Sequence, residues 1–174
     1  MSAGIVIGLW NIVRCTLFNC SPQFMYGWRR LILRSFGAKI GLGVIIRPTV
    51  RITSPWKLKI GDYSWIGDDV VLYCLAPIFI GNHVVVSQNT YLCGGGHDYQ
   101  DINFPQTTAP ICIEDEVWVA ADVFVAPGVT IGQATVIGAR STVLKDVAPM
   151  VVAAGYPLRI LGPRKKHVSK GLVE

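Results

Sequence analysis

Hydrophobic residues recur at every sixth position along the second half of the chain. Six aliphatic residues mark this period, namely Ile113, Val119, Val125, Ile131, Ile137 and Val143. A period of six fits neither the repeat of an amphipathic helix nor a simple alternating strand. It indicates a short strand followed by a turn on each of three sides of a triangular coil, with the stacked aliphatic residues filling the axis. The pattern therefore predicts an all-β solenoid.

The same period begins earlier in the chain, at Ile40, and it slips twice. The pairs Ile40–Gly41, Ile60–Gly61 and Ile80–Gly81 start successive coils and lie twenty residues apart, which is three hexads plus two residues. Aligning the coils on these starts places Ser54 beside Cys74. The two additional residues are therefore expected at the same corner of each coil.

The third coil contains a long insertion, which makes it thirteen residues longer than its neighbours. Residues 109–113 (Ala-Pro-Ile-Cys-Ile) match residues 76–80 (Ala-Pro-Ile-Phe-Ile), so the insertion is a loop at 94–108 that grows from the same corner. A long loop on a rigid scaffold usually carries function. The loop begins with three glycines followed by His97, and we expect the functional site there.

The chain divides into three segments by its pattern. Residues 1–36 lie outside the repeat and predict a partly helical N-terminal cap. Residues 37–148 predict the solenoid, with the loop at 94–108. Residues 149–174 form a short C-terminal extension that ends in a basic tail.

The N-terminal segment has two compatible interpretations. Aliphatic residues and arginines at helical spacing predict a short amphipathic helix at 26–36. The favoured interpretation is a cap over the open end of the solenoid, which every solenoid needs. The other is a membrane-surface foot that carries Arg29, Arg30 and Arg34, which predicts a peripheral membrane contact.

Composition indicates one compact domain in the cytoplasm. Of the 174 residues, 51% are hydrophobic and only 16% are charged, so a large core is available. The net charge of +5 is mild, and no segment resembles a base-reading module, so no nucleic-acid partner is expected.

Five cysteines without metal-ligand spacing argue against a disulfide framework and for a reducing compartment. The apolar stretch 5–13 is shorter than the roughly 20 residues that span a bilayer and lacks the features of a signal peptide. The protein is thus expected in the cytoplasm, at the inner face of the membrane if the cap binds lipid.

Several motifs resemble those of the hexapeptide-repeat acyltransferases. Residues 118–121 (Trp-Val-Ala-Ala), 127–132 (Pro-Gly-Val-Thr-Ile-Gly), 137–141 (Ile-Gly-Ala-Arg-Ser) and 145–147 (Lys-Asp-Val) look like the acetyl-CoA half of that family. Residues 154–159 (Ala-Gly-Tyr-Pro-Leu-Arg) look like its closing motif, and residues 96–99 (Gly-His-Asp-Tyr) resemble its catalytic loop. The likeness covers nearly the whole chain. It is most marked to colanic acid biosynthesis acetyltransferases, relatives of the galactoside and maltose O-acetyltransferases.

The resemblance implies a handedness, a reaction and an assembly. It implies a left-handed parallel β-helix. Parallel crossovers are normally right-handed, so the handedness rests on the resemblance alone. It also implies an O-acetyltransferase that transfers acetyl from acetyl-CoA to a hydroxyl of a sugar or polysaccharide precursor, without a metal. The family further implies a homotrimer with active sites between subunits.

His97 is the candidate catalytic base. Acetyl transfer to a hydroxyl needs a group that takes the proton as the oxygen attacks, and a histidine, which titrates near neutrality, suits this task. The three preceding glycines let the backbone approach a ligand closely. Spacing alone leaves a surface histidine in a flexible loop equally open, and the resemblance favours the base.

The candidate acceptor contacts lie in and below the loop. Asp98 can orient the imidazole or bind the sugar, although starting the turn of its loop is slightly favoured. Asn89 and Gln88 lie in the coil below the loop. Tyr99 and Trp65 can stack on a sugar ring, but packing is favoured for both.

The cofactor positions follow from the resemblance alone. The matching residues are Trp118, Ala120, Ala121, Ala139, Lys145, Pro157 and Arg159. The alanines allow the pantetheine arm to lie close to the backbone, and corner geometry also explains them. Lys145 and Arg159 match positions that face phosphates, where charge-assisted contacts suit the nucleotide end. Leu144 departs from the family, since it replaces a hydroxyl residue and removes one contact on the adenine side.

Three other functions can be compared with the sequence pattern. An N-acetyltransferase acting on an amino sugar or a drug needs a similar base, so the sequence barely separates it. A metal-dependent carbonic anhydrase on the same fold needs three histidines at one site. The other two histidines are His83 and the tail residue His167, so no metal is expected. A non-catalytic β-helical scaffold is disfavoured by the intact loop and closing motif.

Overall fold

The chain folds as a triangular solenoid of stacked parallel strands. The computed structural model describes residues 3–165. Three faces, named A, B and C in the order in which the chain crosses them, are each formed by one parallel sheet. Face A holds β1 (Lys39–Ile40), β4 (Leu58–Ile60), β7 (Ile78–Ile80), β12 (Ile111–Ile113) and β15 (Thr130–Ile131). Face B holds β2 (Ile45–Ile46), β5 (Trp65–Ile66), β8 (Val85–Val86), β13 (Trp118–Val119), β16 (Val136–Ile137) and β18 (Val151–Ala154). Face C holds β3 (Arg51–Ile52), β6 (Val71–Tyr73), β9 (Tyr91–Cys93), β14 (Phe124–Val125) and β17 (Thr142–Val143).

The strand register confirms the coil starts that the hexad period predicts. Ile40 pairs with Ile60, Ile60 with Ile80, and Ile80 with Ile113. Ile78 pairs with Ile111 across the insertion, which therefore leaves the coil at one corner and rejoins it in register. The all-β solenoid prediction is confirmed.

The core is a column of aliphatic side chains along the solenoid axis. Each two-residue strand of the three faces points one residue inward, and the inward residues of β2, β5, β8 and β13 are fully buried. Burying one such side chain contributes about 1.5–3 kcal/mol relative to leaving it exposed. Four polar residues in the interior donate their hydroxyls to backbone carbonyls, namely Ser64, Thr90, Thr135 and Ser141. The core is therefore apolar, and its hydroxyls are satisfied.

The corners of the triangle depend on residues in the left-handed region. Between faces A and B (the AB corner), five stacked residues have φ between 53° and 60°, namely Tyr63, His83, Glu116, Ala134 and Met150. Between faces B and C (the BC corner), the equivalent residues are Asp69, Asn89, Asp122 and Arg140. Non-glycine residues adopt this region rarely, and Asn and Asp tolerate it best. The recurrence of this conformation in two columns shows that the coil geometry requires it.

Side-chain caps link successive coils at the AB corner. The amide of Asn82 donates to Oδ1 of Asp115 at 2.7 Å, and Nδ2 of Asn82 donates to Oδ2 at 3.1 Å. These two bonds hold the pKa of Asp115 below its usual range. The amide of Asp62 donates in the same way to Oδ1 of Asn82 at 2.8 Å.

A helical cap covers the first coil. Helix α1 (Ala3–Val13) continues into a π-helical turn (Arg14–Phe18), and helix α2 (Tyr26–Ser35) follows, close to the predicted range 26–36. The Trp10 ring packs edge-on against Phe18 and Phe36. Trp10 and Phe18 are fully buried, so the cap shares the core of the solenoid.

The first coil has a row of backbone carbonyls that would face the open end of the solenoid without the cap. In the second coil, the carbonyls of Ile60, Ser64, Ile66, Val70 and Leu72 accept amide protons from the first coil. Because the coils stack in register, the equivalent carbonyls of the first coil belong to Ile40, Val44, Ile46, Val50 and Ile52. An unpaired ladder of this kind is an edge that proteins must cover.

Side chains of the cap bind four of these five carbonyls. The donors are Nη2 of Arg34 to Ile40 at 2.6 Å, Nη1 of Arg30 to Val44 at 2.8 Å, Nε of Arg29 to Ile46 at 2.7 Å and Nε1 of Trp10 to Ile52 at 2.8 Å. The three arginines for which the sequence allowed a membrane contact are therefore hydrogen-bonded to the solenoid. This geometry does not favour a membrane contact in which their charges form a free surface patch.

The C-terminal extension closes the other end. Strand β18 pairs in parallel with β16, so face B continues beyond residue 148, and β19 (Arg159–Pro163) folds back on β18. Nη1 of Arg164, a residue that the sequence left unassigned, donates to the carbonyls of Glu116 and Ala134 at 2.8 and 3.0 Å. His167 lies outside the described residues. Between residues 3 and 165, no helix has the length and apolar character needed to cross a membrane.

Candidate active site

The inserted loop forms a hairpin at the corner between faces C and A (the CA corner). Strands β10 (Gly95–His97) and β11 (Gln106–Thr108) pair in antiparallel register, with His97 opposite Gln106. Gly94 starts the loop against the coil below, where a Cβ atom would lie 2.7 Å from the carbonyl oxygen of Tyr73. Only glycine allows this approach, which explains one of the three consecutive glycines.

His97 is exposed and is held by Phe104 on the opposite side of the hairpin. Its Nδ1 lies 3.0 Å from the carbonyl oxygen of Phe104, and the two rings stack with centroids 4.6 Å apart and an interplanar angle of 7°. A carbonyl oxygen only accepts, so Nδ1 carries the proton of this hydrogen bond. In the neutral imidazole, Nε2 is then the nitrogen with the free lone pair, as a general base requires.

Asp98 stabilises the turn of the loop through local hydrogen bonds. Its Oδ1 accepts the amide proton of Gln100 at 3.0 Å, and its own amide donates to Pro105 at 3.0 Å. This is the local role that the sequence slightly favoured. Tyr99 is exposed beside it, at the tip of the hairpin.

The small residues of the predicted cofactor groove stack in one column at the BC corner. Val86, Val119, Ile137 and Ala153 pair in register on face B. The residues after them are Ser87, Ala120, Gly138 and Ala154, and one position further on are Gln88, Ala121, Ala139 and Gly155. Asn89 belongs to the same corner. The column therefore runs from the candidate acceptor contact to the closing motif.

Trp118 lies on face B directly beside this column. Its Nε1 donates to the hydroxyl of Ser87 at 3.0 Å, and its ring remains about half exposed. Ser87 was not a candidate from the sequence. It fixes the indole above the coil that holds Asn89.

A polar cavity of about 550 Å³ opens at the lower part of the same column. Its walls are formed by Arg47, Trp65, Gly67, Asp68, Asp69, Val85, Val86, Ser87, Gln88 and Asn89. Nε of Arg47 donates to Oδ2 of Asp68 at 2.8 Å, so the cavity contains an ion pair beside an exposed tryptophan. Hydrogen-bonding groups next to an aromatic face suit a hydroxyl-rich ligand.

A second, more apolar cavity of about 370 Å³ lies at the C-terminal end. It is lined by Thr142, Leu144, Lys145, Asp146, Val147, Ala148, Pro157, Leu158 and Ile160. Lys145 and Pro157, two of the predicted cofactor residues, therefore line the same cavity. Arg159 is exposed on β19, where it pairs with Ala154.

The predicted site residues fall on two different corners of one chain. His97 and Lys145 belong to the CA corner, because each follows a strand of face C. Leu92 and Val143 in these strands both pair with Val125. Asn89 and Ala121 belong to the BC corner. These corners lie at opposite edges of face C, so a single chain does not bring the two groups together.

The described part of the chain has no evident metal centre. Between residues 3 and 165, no three His, Cys, Asp or Glu side chains are grouped so that they could hold a metal ion. The five cysteines are free, and burial raises the pKa of the Cys74 thiol to about 12, so this thiol stays protonated at neutral pH.

Comparison with known proteins identifies the family. The chain matches no protein-family model. It is 53% identical over 160 residues to "Putative colanic acid biosynthesis acetyltransferase WcaF" of Escherichia coli K12, covering 92% of this chain and 88% of the relative. It is 32% identical over 156 residues to galactoside O-acetyltransferase of the same organism, covering 86% and 77% of the two chains. A hexapeptide-repeat acetyltransferase of Vibrio cholerae, solved with acetyl coenzyme A, superposes with a TM-score of 0.84 at 30% identity and covers 95% of this chain and 91% of that one.

The fold and these likenesses together define the class of protein. A parallel solenoid with an inserted loop is shared with acetyltransferases over nearly the full chain. The chain therefore belongs to the hexapeptide-repeat acetyltransferases, whose β-helix is left-handed. Its reaction is acyl transfer.

Proposed function

We propose that the protein transfers an acetyl group from acetyl-CoA to a hydroxyl of a sugar or polysaccharide precursor, with His97 as general base. The observation that carries the proposal is the exposed imidazole of His97, whose Nδ1 is bonded to a carbonyl and whose Nε2 is left to accept a proton. The names of the relatives, a galactoside O-acetyltransferase and a colanic acid biosynthesis acetyltransferase, support the sugar acceptor.

In this mechanism His97 moves one proton twice. Nε2 takes the proton of the acceptor hydroxyl as its oxygen attacks the thioester carbonyl. The resulting imidazolium then gives this proton to the departing sulfur of CoA as the tetrahedral intermediate collapses. Nδ1 keeps its proton on the Phe104 carbonyl throughout, so the ring holds one orientation in both steps.

The donor would lie along the BC column of one subunit and end at the C-terminal cavity of the neighbouring subunit, which Lys145 lines at the CA corner. Ala120, Ala121 and Ala139 leave room for the pantetheine arm beside the backbone, next to the half-exposed Trp118. Lys145 and Pro157 line this cavity, and Arg159 stands in the sequence between Leu158 and Ile160, which also line it. Leu144 lines the cavity with an apolar side chain, so the contact that a hydroxyl residue makes in other members is replaced by packing.

Arg159→Ala should weaken acetyl-CoA binding about ten-fold, because it removes a charge-assisted contact to phosphate. Calorimetric titration of the purified protein with acetyl-CoA measures this change. Lys59→Ala is the matched control, since it removes one exposed positive charge from face A, away from both site corners. Equal weakening in both variants would indicate a general charge effect. No binding by the unaltered protein would contradict the donor assignment.

The acceptor is proposed to bind in the polar cavity beside Asn89. The cavity offers an amide, an ion pair and the exposed ring of Trp65 to a sugar. Screening neutral sugars against amino sugars would separate O-acetylation from N-acetylation. Acetylation confined to amines would overturn the hydroxyl acceptor and favour the N-acetyltransferase.

We further propose a homotrimer with its sites between subunits. The support is the division of the site residues between two corners of one chain. A cyclic trimer around an axis parallel to the solenoid would place the CA corner of one subunit against the BC corner of the next, which completes the site. Analytical ultracentrifugation reports the assembly, and a monomer at assay concentration would contradict it.

A peripheral membrane contact in the cytoplasm is proposed through α1. Ile5 and Ile12 are 59% and 65% exposed. Apart from Arg29, Arg30 and Arg34, six arginines and lysines and no acidic residue precede Asp62. An apolar surface within a cationic segment suits an anionic bilayer.

Vesicle sedimentation tests this contact. Vesicles with anionic lipid should retain the protein, whereas neutral vesicles should not. The double variant I5S/I12S should lose most of the bound fraction. I102S is the control, since it removes an aliphatic residue that is 98% exposed and belongs to the inserted loop rather than to the cap. Equal retention of all three proteins would contradict the contact.

A further inference from the structure

Phe104 contacts His97 in two separate ways. Its carbonyl oxygen accepts the Nδ1 proton at 3.0 Å, and its ring stacks face to face on the imidazole at 4.6 Å. The first contact selects the tautomer, and the second sets the plane of the ring. Both come from one residue of the inserted loop, outside the hexad repeat.

The backbone of Phe104 has an unusual conformation. Its φ is +47°, in the left-handed region that a bulky side chain rarely adopts. The conformation is held by a turn in which the Phe104 amide donates to the carbonyl of Asp101 at 2.9 Å. Such backbone strain persists only where the surroundings determine it, and it is concentrated at functional sites.

Burial does not explain the aromatic ring at this position. The Phe104 side chain is 54% exposed and is not part of the buried core. His97 is exposed as well, so no core packing fixes the orientation of its imidazole. The Phe104 ring therefore holds the plane of the imidazole, as neighbouring core residues would do for a buried histidine.

We propose that Phe104 is the positioning residue for His97. Its carbonyl keeps the proton on Nδ1, and its ring keeps the imidazole in one plane, so that Nε2 is presented to the acceptor hydroxyl in a single direction. This inference rests on the proposed role of His97 as base. Stacked aromatic pairs favour one arrangement over others, and small losses of orientation reduce catalysis strongly.

Three substitutions separate the two contacts. Phe104→Tyr keeps the ring and the backbone. Phe104→Asn removes the ring but keeps a residue that tolerates positive φ. Phe104→Val removes the ring and places a β-branched residue where the left-handed conformation is strongly disfavoured, so the carbonyl also moves.

We expect Phe104→Tyr to retain the kcat of the unaltered enzyme. Phe104→Asn should lower kcat about ten-fold, the factor that about 1.4 kcal/mol of transition-state stabilisation gives. Phe104→Val should lower kcat further. The KM for acetyl-CoA should stay the same in all three variants, because none of them touches the donor groove. A lower kcat in Phe104→Tyr, or an unchanged kcat in both Phe104→Asn and Phe104→Val, would overturn the inference.

A measurement that does not depend on catalysis separates this inference from the proposed function. Nitrogen-15 NMR of the histidine ring should show the Nδ1–H tautomer of His97 in the unaltered protein and in Phe104→Tyr, and a mixture in Phe104→Val. An Nε2–H tautomer in the unaltered protein would overturn the inference. Full activity of His97→Ala would instead overturn the proposed base, whatever tautomer is observed.

Discussion

Replacing His97 with alanine should lower kcat for acetyl transfer by about 10³-fold, within the range that general acid–base catalysis supplies. The variant leaves the hydroxyl without a proton acceptor, while the hairpin remains held by its own backbone pairs. Release of free CoA thiol in the presence of a sugar acceptor measures the rate. His83→Ala is the matched control, because His83 stacks on Tyr63 at the AB corner, away from the loop. A rate within ten-fold of the unaltered enzyme would contradict the base.

The same variant tests the assembly of the site. His97→Ala mixed in equal amounts with Asn89→Ala, after dissociation and reassembly, should recover about a quarter of the full activity. Three-quarters of the random trimers are mixed, and each mixed trimer has one intact site of three. Mixing His97→Ala with the double variant H97A/N89A supplies no intact histidine and should stay inactive. No recovery in the first mixture would contradict sites shared between subunits.

Replacing Arg29 with methionine should lower the free energy of unfolding by about 3 kcal/mol, because a buried carbonyl left without a donor costs about 1–3 kcal/mol. Arg29 is fully buried and binds the carbonyls of Ile46, Pro22 and Gln23 and the hydroxyl of Ser21. Burial lowers the pKa of its guanidinium, and no carboxylate is among these partners. The side chain therefore acts mainly through its hydrogen bonds.

Thermal unfolding at a fixed protein concentration measures this loss. The midpoint should fall by about 10 °C, since about 2–4 °C correspond to 1 kcal/mol in a protein of this size. Arg30→Met is the matched control on the same helix. Its side chain donates to the Val44 carbonyl and is partly exposed, so a loss of about 1 kcal/mol is expected. An Arg29→Met midpoint no lower than that of Arg30→Met would contradict the capping role.

The fold could be predicted because its signal is local and repeated. Each coil restarts with an aliphatic residue followed by a short one, so the spacing of Ile40, Ile60 and Ile80 already fixes the register that the strands adopt. The insertion was visible for the same reason, since the residues on both sides of it match the coil below. Handedness has no such local signal, and it came from the family.

The site could be predicted only in part. Asn89 and His97 are eight residues apart in the sequence, which suggests that they meet. Strand β9 lies between them and carries the chain across face C, so they lie on different corners. Hexad spacing identifies corners but not which corners of different subunits face each other.

Two further contacts had no sequence signal. From the sequence, the arginines of the cap were interpreted as a charged surface patch, because the sequence does not show that backbone carbonyls lie opposite them. Phe104 belongs to the insertion, where the period is absent, and its contact with His97 depends on how the hairpin folds.

The arginine cap also sets the length of the molecule. A β-helix grows by adding coils, and each new coil would find a row of carbonyls ready to accept its amide protons. Because Arg29, Arg30, Arg34 and Trp10 already occupy four of these carbonyls, a strand from another molecule is hindered from continuing the ladder there. The protein therefore terminates at this end as a discrete particle, and loss of these side chains would expose the starting surface of a filament.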